Sequence, residues 1–128
     1  MTAVLDAGGV SALAHDRALV DGLRRRDEWP PVVSTAVLAE SLTGDHRWDF
    51  HTNRLLRLCE VRPVTEIVAR HAAALRHVCK RDGVSAVDAI VVATADHLGG
   101  AVVWTTDVDD LAALACNTIH EVRPTRPQ

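Results

Sequence analysis

Residues 85–107, SAVDAIVVATADHLGGAVVWTTD, determine the class of fold that the chain is expected to adopt. Ser85 is a favourable helix N-cap, the residues after it are apolar nearly all round, and Gly99-Gly100 ends the helix. Residues 101–105 then form the clearest predicted strand of the chain. A buried helix that leads directly into an apolar strand is typical of an α/β protein whose sheet is mostly parallel.

The rest of the chain continues this alternation of helices and strands. Further strands are predicted at residues 2–6, 31–33, 61–64 and 118–122. Further helices are predicted at residues 10–14, 17–27, 35–42, 49–59, 65–81 and 108–116. Residues 1–123 are expected to form a single domain, and residues 124–128 a short C-terminal tail.

Composition excludes several classes of protein. A chain of 128 residues with 48% hydrophobic residues is long enough for one buried core. Its formal charge of −3 gives no global attraction for nucleic acid, so any such contact must be local. Its three cysteines show no metal-binding spacing, and no apolar run approaches the roughly 18 residues of a membrane span. We expect a cytoplasmic protein without a membrane segment.

Four carboxylates interrupt apolar segments, where an isolated charge is costly. Asp6 and Asp107 stand where predicted strands end, Glu40 shares a helix face with Ala36 and Val37, and Asp88 opens the apolar helix after Ser85. If the four converge, each pair about 4 Å apart repels by roughly 4 kcal/mol at an effective dielectric of about 20. A bound cation makes that arrangement tolerable, so the pattern predicts a metal site.

Three of these acids also have a purely structural interpretation. Asp6 can start a turn before Gly8-Gly9, Asp107 can cap the following helix, and Asp88 can complete a capping box with Ser85. Glu40 has no such local role. The joint occurrence of all four favours the metal site.

The acids lie in four motifs that together resemble the PIN domain, and most closely the VapC-type toxins of bacterial toxin–antitoxin modules. The motifs are Val4-Leu5-Asp6, Ser34-Thr35 with Ala39-Glu40, Val87-Asp88-Ala89 with Ala93-Thr94-Ala95, and Thr105-Thr106-Asp107-Val108-Asp109-Asp110-Leu111. Their order and spacing agree over essentially the whole chain. The resemblance implies an α/β/α sandwich.

The resemblance also implies an activity and a set of partners. The implied protein is a Mg²⁺- or Mn²⁺-dependent endoribonuclease, a homodimer, inhibited by a cognate VapB-type antitoxin. The residues that the resemblance assigns to catalysis are Asp6, Glu40, Asp88 and Asp107. Its metal ligands are Asp6, Asp88 and Asp107, with Asp109 or Asp110 as an additional ligand or water-orienting group.

Two neighbouring residues complete the predicted site. Thr105 matches a hydroxyl residue often found two residues before the last acid. Gly8 departs from the family, which often has Ser, Thr or Asn at this place, although backbone amides can substitute. Because of Gly8, a catalytically weak or silent PIN-like binding module is the alternative.

The chemistry of the ligands supports the hydrolytic interpretation. Hard carboxylate oxygens, without cysteine or a histidine pair, suit Mg²⁺ or Mn²⁺ and in-line displacement at a phosphodiester. A receiver-like phospho-acceptor domain also clusters acids at strand ends, but it needs a lysine at a later strand end. The single lysine, Lys80, falls in a predicted helix.

Overall fold

The strands of the protein all belong to one parallel sheet. The computed structural model describes residues 1–79, 81–115 and 121–125. In that part of the chain the strands are β1 (Ala3–Leu5), β2 (Val32–Ser34), β3 (Glu60–Arg62), β4 (Val102–Thr105) and β5 (Glu121–Pro124). They pair in the order β3-β2-β1-β4-β5, and every pair is parallel.

Helices connect these strands, and the first of them begins three residues earlier than predicted, directly after Asp6. They are α1 (Ala7–His15), α2 (Arg17–Arg25), α3 (Thr35–Ser41), α4 (Phe50–Leu56), α5 (Glu66–Val78), α6 (Ala86–His97) and α7 (Val108–Leu114). Side chains that accept a hydrogen bond from the first turn of a helix belong to Asp6, Asp16, Ser34, Thr65, Ser85 and Asp107. The predicted α/β fold is therefore confirmed, with helices on both sides of the sheet.

The hydrophobic core follows from the apolar runs of the sequence. The three residues of β1 are fully buried, and α6 contacts β1, β2 and β4. Residues 91–93 of α6 are fully buried, as the apolar sequence of this helix predicts. Burial of each such valine contributes about 1.5–3 kcal/mol, so this helix and the central strand fix one another. No helix of the described ranges is both long and apolar enough to cross a membrane.

Strand order places the carboxyl ends of β1 and β4 at the functional edge of the sheet. The chain proceeds from β1 to β2 and β3 on one side, and then to β4 and β5 on the other. The order therefore reverses between β1 and β4, which pair directly. In open parallel sheets, ligands bind beyond the carboxyl ends of the strands at this point. Asp6 directly follows β1, and Asp107 lies two residues after the end of β4.

The last strand lies further along the chain than predicted. Residues 118–120 of the predicted strand are outside the described residues, and β5 continues through Pro124, which pairs with Thr105. Thr125 is buried, and its amide donates to the Thr105 carbonyl at 3.0 Å. The predicted tail is therefore wrong for Pro124 and Thr125. Proline lacks an amide hydrogen, but β5 is an edge strand, where that loss is tolerated.

Helix α5 ends earlier than the periodicity predicts. It stops at Val78, and Cys79 already has an extended backbone. Arg81 consequently belongs to the loop before α6, while Lys80, which the prediction placed in the helix, lies outside the described residues. Cys116, predicted to end α7, also lies outside them. The position of Arg81 in a loop matters for the acidic site.

Candidate metal centre

Asp6 is the buried acid of this region. It follows β1, caps α1, and is only 6% exposed. Its Oδ1 accepts a hydrogen bond from the Gly9 amide at 2.7 Å, and its Oδ2 accepts one from the Thr105 hydroxyl. Both oxygens therefore have a donor, which offsets part of the cost of burying the carboxylate.

A close approach between α1 and β4 holds Asp6 in place. A Cβ atom at Gly9 would lie 2.5 Å from the backbone carbonyl oxygen of Trp104. The Asp6 amide donates to that same carbonyl at 3.4 Å. Only glycine permits this separation, because the obstructing atom belongs to the backbone of a paired strand and cannot rotate away.

Three other carboxylates meet at the same edge of the sheet. Asp88 lies in the first turn of α6, Asp107 caps α7, and Asp110 lies in the first turn of α7. One oxygen from each lies within 4.8 Å of the others. Ionised carboxylates at this separation repel one another, although solvent at the exposed side of the group screens part of the repulsion.

The capping roles predicted for these acids coexist with their convergence. The Asp88 amide donates to the Ser85 hydroxyl at 3.0 Å, and Asp107 Oδ1 accepts from the Asp110 amide at 3.5 Å. The two helix starts therefore aim the side chains at one another. Helix N-termini also favour negative charge, which lowers the cost of gathering it here.

Glu40 approaches the group from α3, but it is not buried. We expected it on the apolar face with Ala36 and Val37. Val37 is buried, whereas Glu40 is exposed. Because α3 ends at Ser41, no further turn covers Glu40. Its charge nevertheless acts on Asp88, whose pKa it helps to raise. The burial argument is thus wrong for Glu40, and the three-carboxylate group does not include it.

Burial and mutual repulsion raise the pKa of three acids. Burial is the main cause for Asp6, and the charges of Asp88 and Asp107 add to it, while hydrogen bonds from Thr105 and Gly9 oppose it. Burial likewise leads for Asp88 and Asp107, and the charge of Asp110 raises the pKa of both. Raised pKa values mean that the ionised carboxylates are destabilised by their surroundings. A cation bound among them would stabilise the ionised form.

Asp110 differs from the other acids because it is paired. The Nε of Arg81 donates a hydrogen bond to Asp110 Oδ1. This pairing lowers the pKa of the Asp110 carboxyl and raises that of the Arg81 guanidinium. Asp109, the other predicted additional ligand, is exposed and stands outside the three-carboxylate group.

The family assignment comes from a match that covers most of the chain. The model of the PIN domain family matches residues 3–115. This chain is a PIN domain. A comparison with curated proteins found no match. PIN domains are nuclease folds that typically depend on divalent metal ions and act on RNA, and the matched segment contains all the acids described above.

The acids of this PIN domain suit a hard divalent cation. Asp88, Asp107 and Asp110 offer carboxylate oxygens alone, and no cysteine or histidine joins them among the described residues. Such a donor set favours Mg²⁺ or Mn²⁺ over Zn²⁺. Asp6 lies outside the three-carboxylate group, but the Thr105 hydroxyl donates to Asp6 Oδ2 and accepts from the Asp107 amide at 2.8 Å, which links the two acids.

The Thr106 side chain occupies the space next to Gly8. A Cβ atom at Gly8 would collide with the Thr106 hydroxyl, and would lie 3.0 Å from Thr106 Cβ. A side chain at position 8, such as the hydroxyl or amide residue often found there in the family, would require the Thr106 side chain to move. A threonine hydroxyl from the β4–α7 segment stands there instead.

Two residues of the site have no clear signal in the sequence. Arg81 was assigned to a helix, and Thr106 was only part of the motif around Asp107. Arg81 stands beside the Asp82-Gly83 turn, but its partner Asp110 is 29 residues further along the chain, so no local pattern indicates the pair. The contact between Gly8 and Thr106 depends on strand pairing, and nothing in the local sequence encodes it.

Proposed function

We propose that this PIN domain is a Mg²⁺- or Mn²⁺-dependent endoribonuclease of the VapC type. The observation that carries the proposal is the convergence of Asp88, Asp107 and Asp110 within 4.8 Å at the carboxyl edge of a parallel sheet. The match to the PIN family supports a nuclease, and the four sequence motifs support the toxin class.

The proposed roles of the residues follow from their surroundings. Asp88, Asp107 and Asp110 hold the cation, with Asp6 as a further ligand. Thr105 orients Asp6 through its hydroxyl. Glu40 is exposed beside Asp88, so it is available to accept a proton from an attacking water.

The reaction that such a site supports is hydrolysis of an RNA phosphodiester bond. A bound Mg²⁺ or Mn²⁺ supplies Lewis acidity at a phosphate oxygen and lowers the pKa of a coordinated water. We expect products with 5′-phosphate and 3′-hydroxyl ends. The carboxylates provide the affinity for the cation. Asp107 and Glu40 are exposed, so RNA can approach the site from their side.

The decisive experiment is cleavage of RNA by the purified protein. Wild type is incubated with total RNA in Mn²⁺, in Mg²⁺ and in chelator, beside Asp107→Asn and the control Glu66→Gln. Glu66 forms an exposed ion pair with Arg70 on α5. Cleavage by wild type and Glu66→Gln only with metal, and its loss in Asp107→Asn, is the expected result. Intact RNA under every condition contradicts the proposal.

We further propose that the protein is a cytoplasmic homodimeric toxin held inactive by a VapB-type antitoxin. Its free thiols at Cys59 and Cys79 are compatible with a reducing compartment. Trp48, Phe50 and Leu58, on and around α4, expose large apolar side chains, which favours a protein partner. Two observations test this. We expect the neighbouring open reading frame to encode a small antitoxin whose co-expression relieves growth arrest, and light scattering of the purified protein should give twice the chain mass.

A silent binding module is the second candidate, and Gly8 with its Thr106 neighbour is the observation in its favour. Calorimetry separates the two candidates. An active site should bind Mn²⁺ and lose that binding in Asp107→Asn, whereas a silent module should bind little Mn²⁺ in either form.

A further inference from the structure

Arg81 stands at the edge of the acidic group as a cation of the chain itself. It lies in the loop between α5 and α6, next to a turn in which Gly83 has φ +81°. Its guanidinium Nε donates to Asp110 Oδ1. The Arg81 side chain is 50% exposed, while that of Asp110 is 18% exposed. The arginine therefore reaches from solvent to a half-buried member of the group.

The electrostatic partners of Arg81 extend beyond Asp110. The charges of Asp109 and Asp107 also stabilise its protonated form. Arg81 thus cancels one formal negative charge of the three-carboxylate group. An incoming divalent cation must share Asp110 with this guanidinium or displace it.

Another arginine pair shows what an ordinary ion pair looks like in this chain. Arg70 donates to Glu66 at 2.8 Å one helical turn away, and their side chains are 78% and 80% exposed. Pairs of that kind contribute little to stability. Arg81 instead links the loop before α6 to the first turn of α7. Its partner, Asp110, lies close to two other carboxylates of the same charge.

When a divalent cation displaces Arg81 from Asp110, the guanidinium is free to bind a phosphate of the RNA. A planar guanidinium binds two oxygens of a phosphate at once, and half of the Arg81 side chain already faces solvent at this edge of the site. We propose that Arg81 is a phosphate-binding residue for single-stranded RNA, held by Asp110 in the free protein and exchanged onto the RNA when metal and RNA bind. This inference rests on the proposed nuclease function.

The exchange predicts that one substitution changes two affinities in opposite directions. Arg81→Gln removes a positive charge close to the cation, so Mn²⁺ affinity in the absence of RNA should rise on the order of tenfold. The same change should weaken binding of a fluorescein-labelled single-stranded RNA, measured with the acids saturated by Ca²⁺ so that Arg81 is released from Asp110. The slope of log K against log salt should become shallower by about 0.7, the contribution of one phosphate contact.

Two further variants make the result specific. Arg70→Gln removes an arginine from an ion pair away from the acids, and should change neither affinity. Arg81→Lys keeps the charge but loses the planar fork, so Mn²⁺ affinity should stay near wild type while RNA affinity falls. Thermal denaturation in chelator monitors folding of all variants.

A different pattern overturns the inference. If Arg81→Gln weakens both affinities, Arg81 only orders Asp110. If RNA affinity and its salt slope match those of Arg70→Gln, Arg81 does not contact phosphate. These results leave the nuclease intact if wild type binds Mn²⁺ and cleaves RNA. A wild type that does neither overturns the proposed function together with this inference.

Discussion

The Thr105 hydroxyl donates a hydrogen bond to Asp6 Oδ2 across the pairing of β1 and β4. The oxygen of the Thr105 hydroxyl also accepts a hydrogen bond from the Asp107 amide at 2.8 Å. One fully buried hydroxyl thus joins the acid that follows β1 to the turn that carries the acid after β4. Loss of this hydroxyl should disturb both sides of the site.

Thr105→Val should therefore destabilise the protein. The change leaves one oxygen of the buried Asp6 carboxylate without a donor, so the free energy of unfolding should fall by about 1–3 kcal/mol. Urea denaturation in chelator measures the loss. Thr94→Val is the matched control, because that hydroxyl donates only to the Ile90 carbonyl within α6 at 2.7 Å. An equal decrease in the free energy of unfolding of the two variants would show that the hydrogen bond to Asp6 contributes no more than an ordinary helix hydrogen bond.

Stability of the metal-free protein should depend on pH in a direction set by the acids. Burial raises the pKa of Asp6 and Asp88 above the ordinary value of 3.8. An acid of this kind binds its proton more tightly in the folded state. Its contribution to stability is therefore fully present below pH 3.8 and is lost as the pH rises through the folded pKa.

Asp88→Asn isolates this effect. Relative to wild type in chelator, the variant should become progressively more stable as the pH rises from about 4 towards neutrality, because it avoids the charge that wild type must develop. Urea midpoints along that pH series measure the difference. Asp49, whose pKa is lowered mainly by the Thr43 amide, should behave oppositely: Asp49→Asn should lose most stability at neutral pH. A pH-independent difference for Asp88→Asn contradicts the assignment.

Metal should stabilise the protein through Asp110 rather than Asp109. A ligand that binds only the folded state at 100 times its Kd adds about 2.7 kcal/mol to the free energy of unfolding. We expect Mn²⁺ to raise the Tm of wild type and of Asp109→Asn, and to have a much smaller effect on Asp110→Asn. Differential scanning fluorimetry measures this. The reverse order would identify Asp109 as the ligand.

Gly8→Ala and Gly9→Ala should respond differently to a second substitution. A Cβ at Gly8 meets the Thr106 side chain, whereas one at Gly9 meets the Trp104 backbone. Overpacking costs typically about 1–3 kcal/mol, although alanine in a helix otherwise gains up to about 1 kcal/mol over glycine.

The double-mutant comparison uses Thr106→Gly. In that background Gly8→Ala should become stabilising, because the obstruction is gone, while Gly9→Ala should remain destabilising. Chemical denaturation of the four variants and their parents gives the coupling. Gly8→Ala with the same cost in both backgrounds would show that Thr106 is not the obstacle.

Strand ends and caps were predictable because their signals are local. Asp6 and Asp107 were placed by the apolar runs before them, and Ser85 by its capping chemistry. Glu40 is exposed although it follows Val37 by three residues, because helical periodicity does not reveal which end of a seven-residue helix other elements cover. Arg81 was missed because its partner, Asp110, is 29 residues away, and only the fold brings them together.

The Thr105–Asp6 contact also determines when the site can exist during synthesis of the protein. The two residues are 99 positions apart, and they meet only when β4 has paired with β1. Contacts of such long sequence separation form late, because the intervening chain must be ordered first. A ribosome-bound fragment that ends before β4 contains Asp6, Glu40 and Asp88 but lacks Asp107 and Asp110. The three-carboxylate group therefore cannot form in it. Under the proposed function, the nascent chain cannot cleave the RNA around it until β4 and α7 have been translated.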